Sequence, residues 1–134
     1  MLVHTKYLLD RESGLFYHGW NFETKSNYGG NFWCRGNSWL TLGIPLFMKI
    51  MGDRLPKYVY DYLLEIHVNQ VTALIDWRGE DHLWHTIITD KTSYTETSGS
   101  AGILAGILTG LNEGLVIEGV TSAFIEESLQ AILE

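Results

Sequence analysis

Cysteine occurs once in the 134 residues, at Cys34. One thiol excludes an internal disulfide and a thiolate zinc cage, and it fits a reducing compartment. Positive charge is scarce as well: nine Lys and Arg stand against sixteen Asp and Glu, for a formal net charge of -7. Binding to nucleic acid by counterion release needs clustered cations, and these nine are scattered, so no nucleic-acid partner is expected. No stretch reaches the roughly 18 uninterrupted apolar residues of a membrane span. The opening MLVHTKYLLD lacks a basic region followed by an apolar run, so the location expected is cytoplasmic and no membrane association is expected. Two-residue alternation of apolar and polar side chains is also missing, which excludes a strand-built fold and leaves an all-α one.

What is present is enough apolar material, 46% of residues, for one globular domain with a real core. Leu2, Tyr7, Leu8 and Leu9 read as the end of an amphipathic helix whose start precedes Met1, so the chain is expected to be part of a longer fold. The turn DRESG follows, with Gly14 left-handed and Leu15, Phe16 and Tyr17 leaving it extended. From His18 to Asn37 the chain is rich in Gly, Asn and aromatics, too long and irregular for a plain connector. Helical spacing returns at Trp39, with Leu42, Leu46, Phe47 and Ile50 as its apolar stripe. Asn37 or Ser38 is placed to cap that helix, and Pro45 to kink or interrupt it. Pro56 opens the longest helix, marked by Tyr60, Leu63, Leu64, His67, Val71, Leu74 and Ile75. A second irregular segment, 76–98, leads to a helix capped by Thr97 or Ser98 and carrying Ile103, Leu104, Ile107, Leu108 and Leu111. The last helix starts at Thr121 or Ser122, with Ile125, Leu129, Ile132 and Leu133 on one stripe. Helix pairs whose long loops gather on one side would build a cleft at a common rim.

The chemistry concentrates in those loops. FWCRGNSW sets Arg35 between Trp33 and Trp39. A guanidinium is permanently charged, so this grouping suits a sugar that also carries a carboxylate. The same residues also read as core indoles, with Arg35 paired to Asp10 or Glu23. His18, in FYHGWN, is either an acid, base or hydroxyl partner or a loop histidine bonded to the backbone. His82 and His85 in HLWH lack the HExxH pattern or a cysteine pair, and Gly79 with Asp81 argues for a loop, so no metal is expected; His85 is placed in the cleft lining. Of the acids in the second loop, Asp76, Glu80, Asp81, Asp90 and Glu96, no pair is singled out by spacing. Glu96 stands just ahead of a helix and is expected to favour its N-terminal dipole.

Four blocks, TKYLLDRESGLFYHGWN, FWCRGNSWLTLGIPLF, LWHTII and SYTETSGSAGILAGIL, in this order, closely resemble the unsaturated rhamnogalacturonyl hydrolases of glycoside hydrolase family 105, related to the unsaturated glucuronyl hydrolases of family 88. The family's usual forms are YHGWD, FWARGNGW, GLWHQ and ETSGSA, so Asn21, Cys34 and Ser38 are small departures from Asp, Ala and Gly. The resemblance implies an (α/α)6 toroid of twelve helices, of which this chain supplies about five as a single partial domain spanning residues 1–134, without the family's opening and closing helices. It also implies hydration of the C4=C5 double bond of a 4,5-unsaturated uronic acid, protonated by an aspartic acid, with no metal or organic cofactor. By motif, His18 and Trp33 line the sugar site, Arg35 meets the carboxylate, and Trp39 and His85 wall the same pocket. The proton-donating Asp precedes the YHGW block in the family, in a stretch absent from this chain, and Asp10 matches the family's own turn Asp.

The expectation is therefore the substrate-binding portion of a hydrolase acting on pectin-derived unsaturated oligosaccharides, with no catalytic residue of its own and little turnover in isolation. A non-catalytic carbohydrate-binding or structural remnant is the alternative, and a helical protein-interaction module is a third reading. Apolar helix faces left open to water predict self-association.

Overall fold

A computed structural model describes residues 1–134, the whole of the chain. Five α-helices form: α1 (Leu2–Tyr7), α2 (Cys34–Met51), α3 (Lys57–Asp76), α4 (Thr97–Asn112) and α5 (Ser122–Leu133), with a 3-10 turn at Gly52–Arg54 after α2. The all-α expectation holds, since extended segments meet only at isolated antiparallel bridges: Leu9 with Phe16, Asn21 with Ser26, Trp33 with Ile87, and His85 with Thr95. No helix is long and apolar enough to cross a membrane.

α2 and α4 are the principal packed pair. They approach closely because α4 turns glycines toward α2: a Cβ at Gly102 would lie 2.8 Å from Ser38 Cβ, and one at Gly106 would lie 2.5 Å from the Thr41 carbonyl oxygen. Thr41 is four residues before Pro45, whose missing N–H cannot bond that carbonyl. The α4 backbone therefore packs onto the place where α2 has lost an internal bond, and α2 runs unbroken through Pro45 rather than stopping there.

Four helix expectations need correction, the first being the α4 cap, which is Glu96 and neither Thr97 nor Ser98. α2 begins at Cys34, not beside Trp39, and neither Asn37 nor Ser38 caps it; Trp33 holds the cap position. Gly, Asn and Ser are poor helix formers, but tertiary bonds override propensity here. The Cys34 N–H donates to the Thr86 carbonyl at 2.9 Å and fixes the first turn. The α2 stripe of Trp39, Leu46 and Ile50 faces solvent, while Asn37, Ser38, Thr41, Ile44 and Met48 face inward, because close approach to glycine-lined α4 selects small side chains. In α5, Phe124 and Ser128 are buried, whereas Leu129 and Leu133 are exposed. The α5 cap is as expected: the Thr121 hydroxyl accepts from Phe124 N at 3.1 Å.

The core lies in two clusters. One gathers Leu15, Leu74, Trp84, Ile103, Ile107 and Phe124; the other gathers Phe16, Ile44, Met48, Leu63 and Ile66. Consecutive residues of an extended segment point to opposite sides, so Leu15 and Phe16 feed one cluster each. Gly14 makes that entry possible at φ +77°, where a Cβ would press to 3.1 Å on the Asn69 carbonyl oxygen of α3. His67 of α3 is fully buried against Gly110 of α4, and neither ring nitrogen has a hydrogen-bond partner. Burial lowers its pKa to about 4, so the imidazole is neutral.

Candidate functional site

The two motif blocks that are far apart in sequence meet at the first turns of α2 and α4. Glu96 is the N-cap of α4, accepting from Gly99 N at 3.1 Å and from the Ser98 hydroxyl, which fits the structural role expected of it. The same carboxylate oxygen lies 3.2 Å from Arg35 Nε. Glu96 is 9% exposed and Arg35 50%, so the acid is sunk in the protein while the guanidinium reaches outward. Gly99 is what lets the turns meet, since a Cβ there would strike Cys34 Sγ and lie 3.1 Å from Arg35 N.

Arg35 thus pairs with neither Asp10 nor Glu23. Asp10 accepts from the Ser13 amide at 3.0 Å and the Ser13 hydroxyl at 2.6 Å, closing the DRESG turn. The Ser13 hydroxyl chiefly holds the Asp10 carboxyl below its ordinary value. Arg35 also lies over the Trp33 indole, with Cζ 4.6 Å from the ring centroid. An acid at Nε and an aromatic face together fix a planar cation in one orientation. Cys34, beneath this pair, is buried; desolvation first, then the Glu96 charge, pushes its thiol up to about 12, so it is no nucleophile.

His18 stands edge-on to Trp33, with centroids 4.7 Å apart and planes at 86°. Its position is set by Asn37, which the sequence placed at a cap. Asn37 is fully buried on α2; its Oδ1 accepts from Phe16 N at 2.8 Å, and its Nδ2 donates to the Phe16 carbonyl at 2.9 Å. The amide acts as a short strand partner, holding the segment that ends in His18 against the first turn of α2. Gln70 Nε2 adds a bond to the Asn37 carbonyl at 3.1 Å. No periodicity marks such a residue in a sequence.

His18 and Trp33 line a cleft of about 400 Å³ with Gly19, Asn27, Tyr28, Asn31 and Ile87. Arg35 and Trp39 are not in that lining. Arg35 stands at the Trp33 face, and Trp39, 74% exposed, follows one turn later on the same side of α2. His85 also lies elsewhere: its Nδ1 meets the Ser93 carbonyl at 2.5 Å, and it lines a second cleft of about 390 Å³ with Trp77, Asp81, Lys91 and Thr95. His82 sits at φ +66° with Nδ1 3.5 Å from Glu127 Oε2, so the two imidazoles of HLWH serve different partners. Trp84 between them is wholly buried, its Nε1 donating to the Leu74 carbonyl at 2.7 Å.

The loop between His18 and Trp33 holds its backbone in an unusual conformation. Lys25 and Tyr28 hold φ at 51° and 59°, the left-handed region that side chains avoid, and Gly29 and Gly30 follow at 112° and 72°. The Tyr28 hydroxyl accepts from Asn21 Nδ2 at 3.0 Å. Tyr28 was no candidate from the sequence, because its role depends on a backbone geometry that composition does not announce.

Several proteins are similar to this chain over nearly its whole length. The unsaturated rhamnogalacturonyl hydrolase YesR of Bacillus subtilis is 30% identical over 132 residues, covering 98% of this chain and 36% of that protein. An unsaturated 3S-rhamnoglycuronyl hydrolase of an Alteromonas species is 29% identical, covering 94% of this chain and 31% of that one. A crystal structure from Klebsiella pneumoniae, described as a possible member of the GH105 family, superposes with a TM-score of 0.90 at 37% identity, covering 98% of this chain and 34% of that one. The chain thus spans about a third of the length of these relatives, and its helices are part of an (α/α)6 toroid. Because the model of Glycosyl Hydrolase Family 88 matches residues 1–134, from the first helix to the last, this chain belongs to that family.

Proposed function

We propose that this chain is the substrate-binding portion of a hydrolase that releases a 4,5-unsaturated uronic acid from rhamnogalacturonan oligosaccharides. The names of the curated relatives and the family membership support a glycoside hydrolase. The observation that carries the finer reading is Arg35, held flat by Glu96 and Trp33 at the edge of a cleft lined by His18. With Nε taken by Glu96, the two terminal nitrogens remain to grip a sugar carboxylate in a two-pronged bond. His18 meets a ring hydroxyl in this scheme. Trp39, on the side of α2 that carries Arg35, flanks the same sugar, whereas His85, in its separate cleft, takes no part in this scheme.

The cleft lining contains no carboxylic acid, and this favours a second reading, carbohydrate binding without turnover. Proton delivery to the double bond needs an acid within hydrogen-bond reach. Calorimetric titration with unsaturated and saturated rhamnogalacturonan disaccharides tests both. A preference for the unsaturated sugar, with no loss of its ultraviolet absorbance on incubation, is the expected result. Equal affinity for the two sugars, or none, refutes the unsaturated-uronate site, and robust loss of absorbance refutes the lack of turnover. Arg35→Ala is expected to weaken binding by roughly tenfold, the low end for a charged hydrogen bond because Arg35 is half exposed.

A further inference from the structure

We infer that Tyr28, with the amides of Asn27 and Asn31, forms a second sugar subsite, which takes the residue joined to the uronic acid and makes Tyr28 a specificity-determining residue. The inference rests on the carboxylate-binding role of Arg35 proposed above. A uronic acid anchored there and at His18 occupies the Trp33 end of the cleft. The remaining wall is supplied by the loop, whose Asn27, Tyr28 and Asn31 face the same space. Two amides and a phenol ring are the groups that bind a neutral sugar, the amides through hydroxyls and the ring through the apolar C–H face.

Three observations give Tyr28 this task. The ring is 71% exposed, so it does not serve the core. It lies beside Gly19, the residue next to His18, at ordinary contact distance: a Cβ there would stand 3.6 Å from the ring. Its backbone is held in the left-handed region, at φ 59°, and its hydroxyl is tied to Asn21 Nδ2 at 3.0 Å. Strain at an exposed aromatic that lines a cleft persists only where the surrounding contacts impose it, and such residues cluster at ligand sites. Asn27 Oδ1 accepts from Gly29 N at 3.4 Å, which leaves its Nδ2 to donate to a sugar hydroxyl, and Asn31 faces the same space.

The test compares two ligands on the full 134-residue chain: the free 4,5-unsaturated galacturonic acid, and its disaccharide with rhamnose, titrated with tryptophan fluorescence as the readout. Wild-type protein should bind the disaccharide more tightly. Tyr28→Gly removes the ring while suiting the left-handed backbone, so folding is preserved. It should weaken the disaccharide by about three- to tenfold, the range of an aromatic stacking contact, and leave the monosaccharide unchanged. Tyr28→Phe should keep the disaccharide preference. An unchanged preference in Tyr28→Gly, or equal weakening of both ligands, overturns the subsite while the Arg35 reading stands. If wild-type protein binds neither ligand, or Arg35→Ala binds both as wild type does, the Arg35 reading fails and the subsite falls with it.

Discussion

Replacing Glu96 with alanine removes four contacts at once: the cap on Gly99 N, the bond from the Ser98 hydroxyl, a long bond from the Thr86 hydroxyl at 3.5 Å and the pair with Arg35 Nε. Their sizes differ for structural reasons. Loss of an N-cap acceptor costs about 1 kcal/mol. Gly99 is buried, so its orphaned amide finds water poorly and the loss moves to the upper end of the capping range, about 2 kcal/mol in all. Arg35 is 50% exposed, so its released guanidinium rehydrates and that pair contributes under about 1 kcal/mol. The sum is roughly 2 to 3 kcal/mol, or about 6 to 12 °C in melting temperature at this chain length. Glu96→Gln keeps an acceptor at the cap and loses only the charge, so it should cost under about 1 kcal/mol of stability. Its effect should appear in ligand binding, because Arg35 is then freed from its fixed orientation. Urea denaturation followed by tryptophan fluorescence measures the first quantity, and calorimetry with the unsaturated disaccharide the second. If the alanine and glutamine variants are equally unstable, Glu96 does not act as a neutral-tolerant cap; if glutamine leaves affinity unchanged, Glu96 does not orient Arg35.

Two further perturbations probe the helix pair beneath the site. Gly106→Ala gains about 1 kcal/mol of helix propensity but places a methyl 2.5 Å from the Thr41 carbonyl oxygen, so overpacking wins and a net loss of about 2 kcal/mol is expected in urea melts; a stabilised variant would show that α2 and α4 are not in this close contact. His67 titrates at about 4 against an ordinary 6.5, so its neutral form belongs to the folded state. Folding stability is full above pH 6.5 and falls as the pH drops toward 4, by up to about 3 kcal/mol from this group. Wild type should lose this stability across that range and His67→Phe should not, so the difference between their melting curves should change with pH; parallel curves would show that His67 is not the group responsible.

The helices were legible in the sequence because most of them announce themselves by the spacing of buried residues, as Leu63, Val71 and Leu74 do in α3 and Ile103 and Ile107 in α4. The α2 register was not, and the reason is physical. Its inward face carries Asn37, Ser38 and Thr41, chosen to fit against glycines, while its apolar stripe of Trp39, Leu46 and Ile50 lies outside. A hydrophobic pattern identifies the buried face only when burial is achieved by large side chains. The site divided along the same line. Trp33, Arg35 and His18 stood out as residue types with chemistry, and the structure brings them together. Tyr28 and Asn37 did not stand out, because one depends on backbone strain and the other on bonds to Phe16, 21 positions away.

That division explains why FWCRGNSW and TETSGSA belong to one object. The first turn of α2 offers an arginine that needs an acid to orient it, and the first turn of α4 offers a carboxylate that already caps a helix. Gly99 removes the Cβ that would keep them apart from Cys34, and the Gly102 and Gly106 contacts carry the same close approach down the helix pair. The acid at Arg35 is therefore fixed by the α4 backbone rather than by a flexible loop, so the geometry of the cation is tied to the packing of the core. A change at Gly106, remote from the cleft, should consequently reach Arg35 through α4 and Glu96, without touching a residue that lines the cleft.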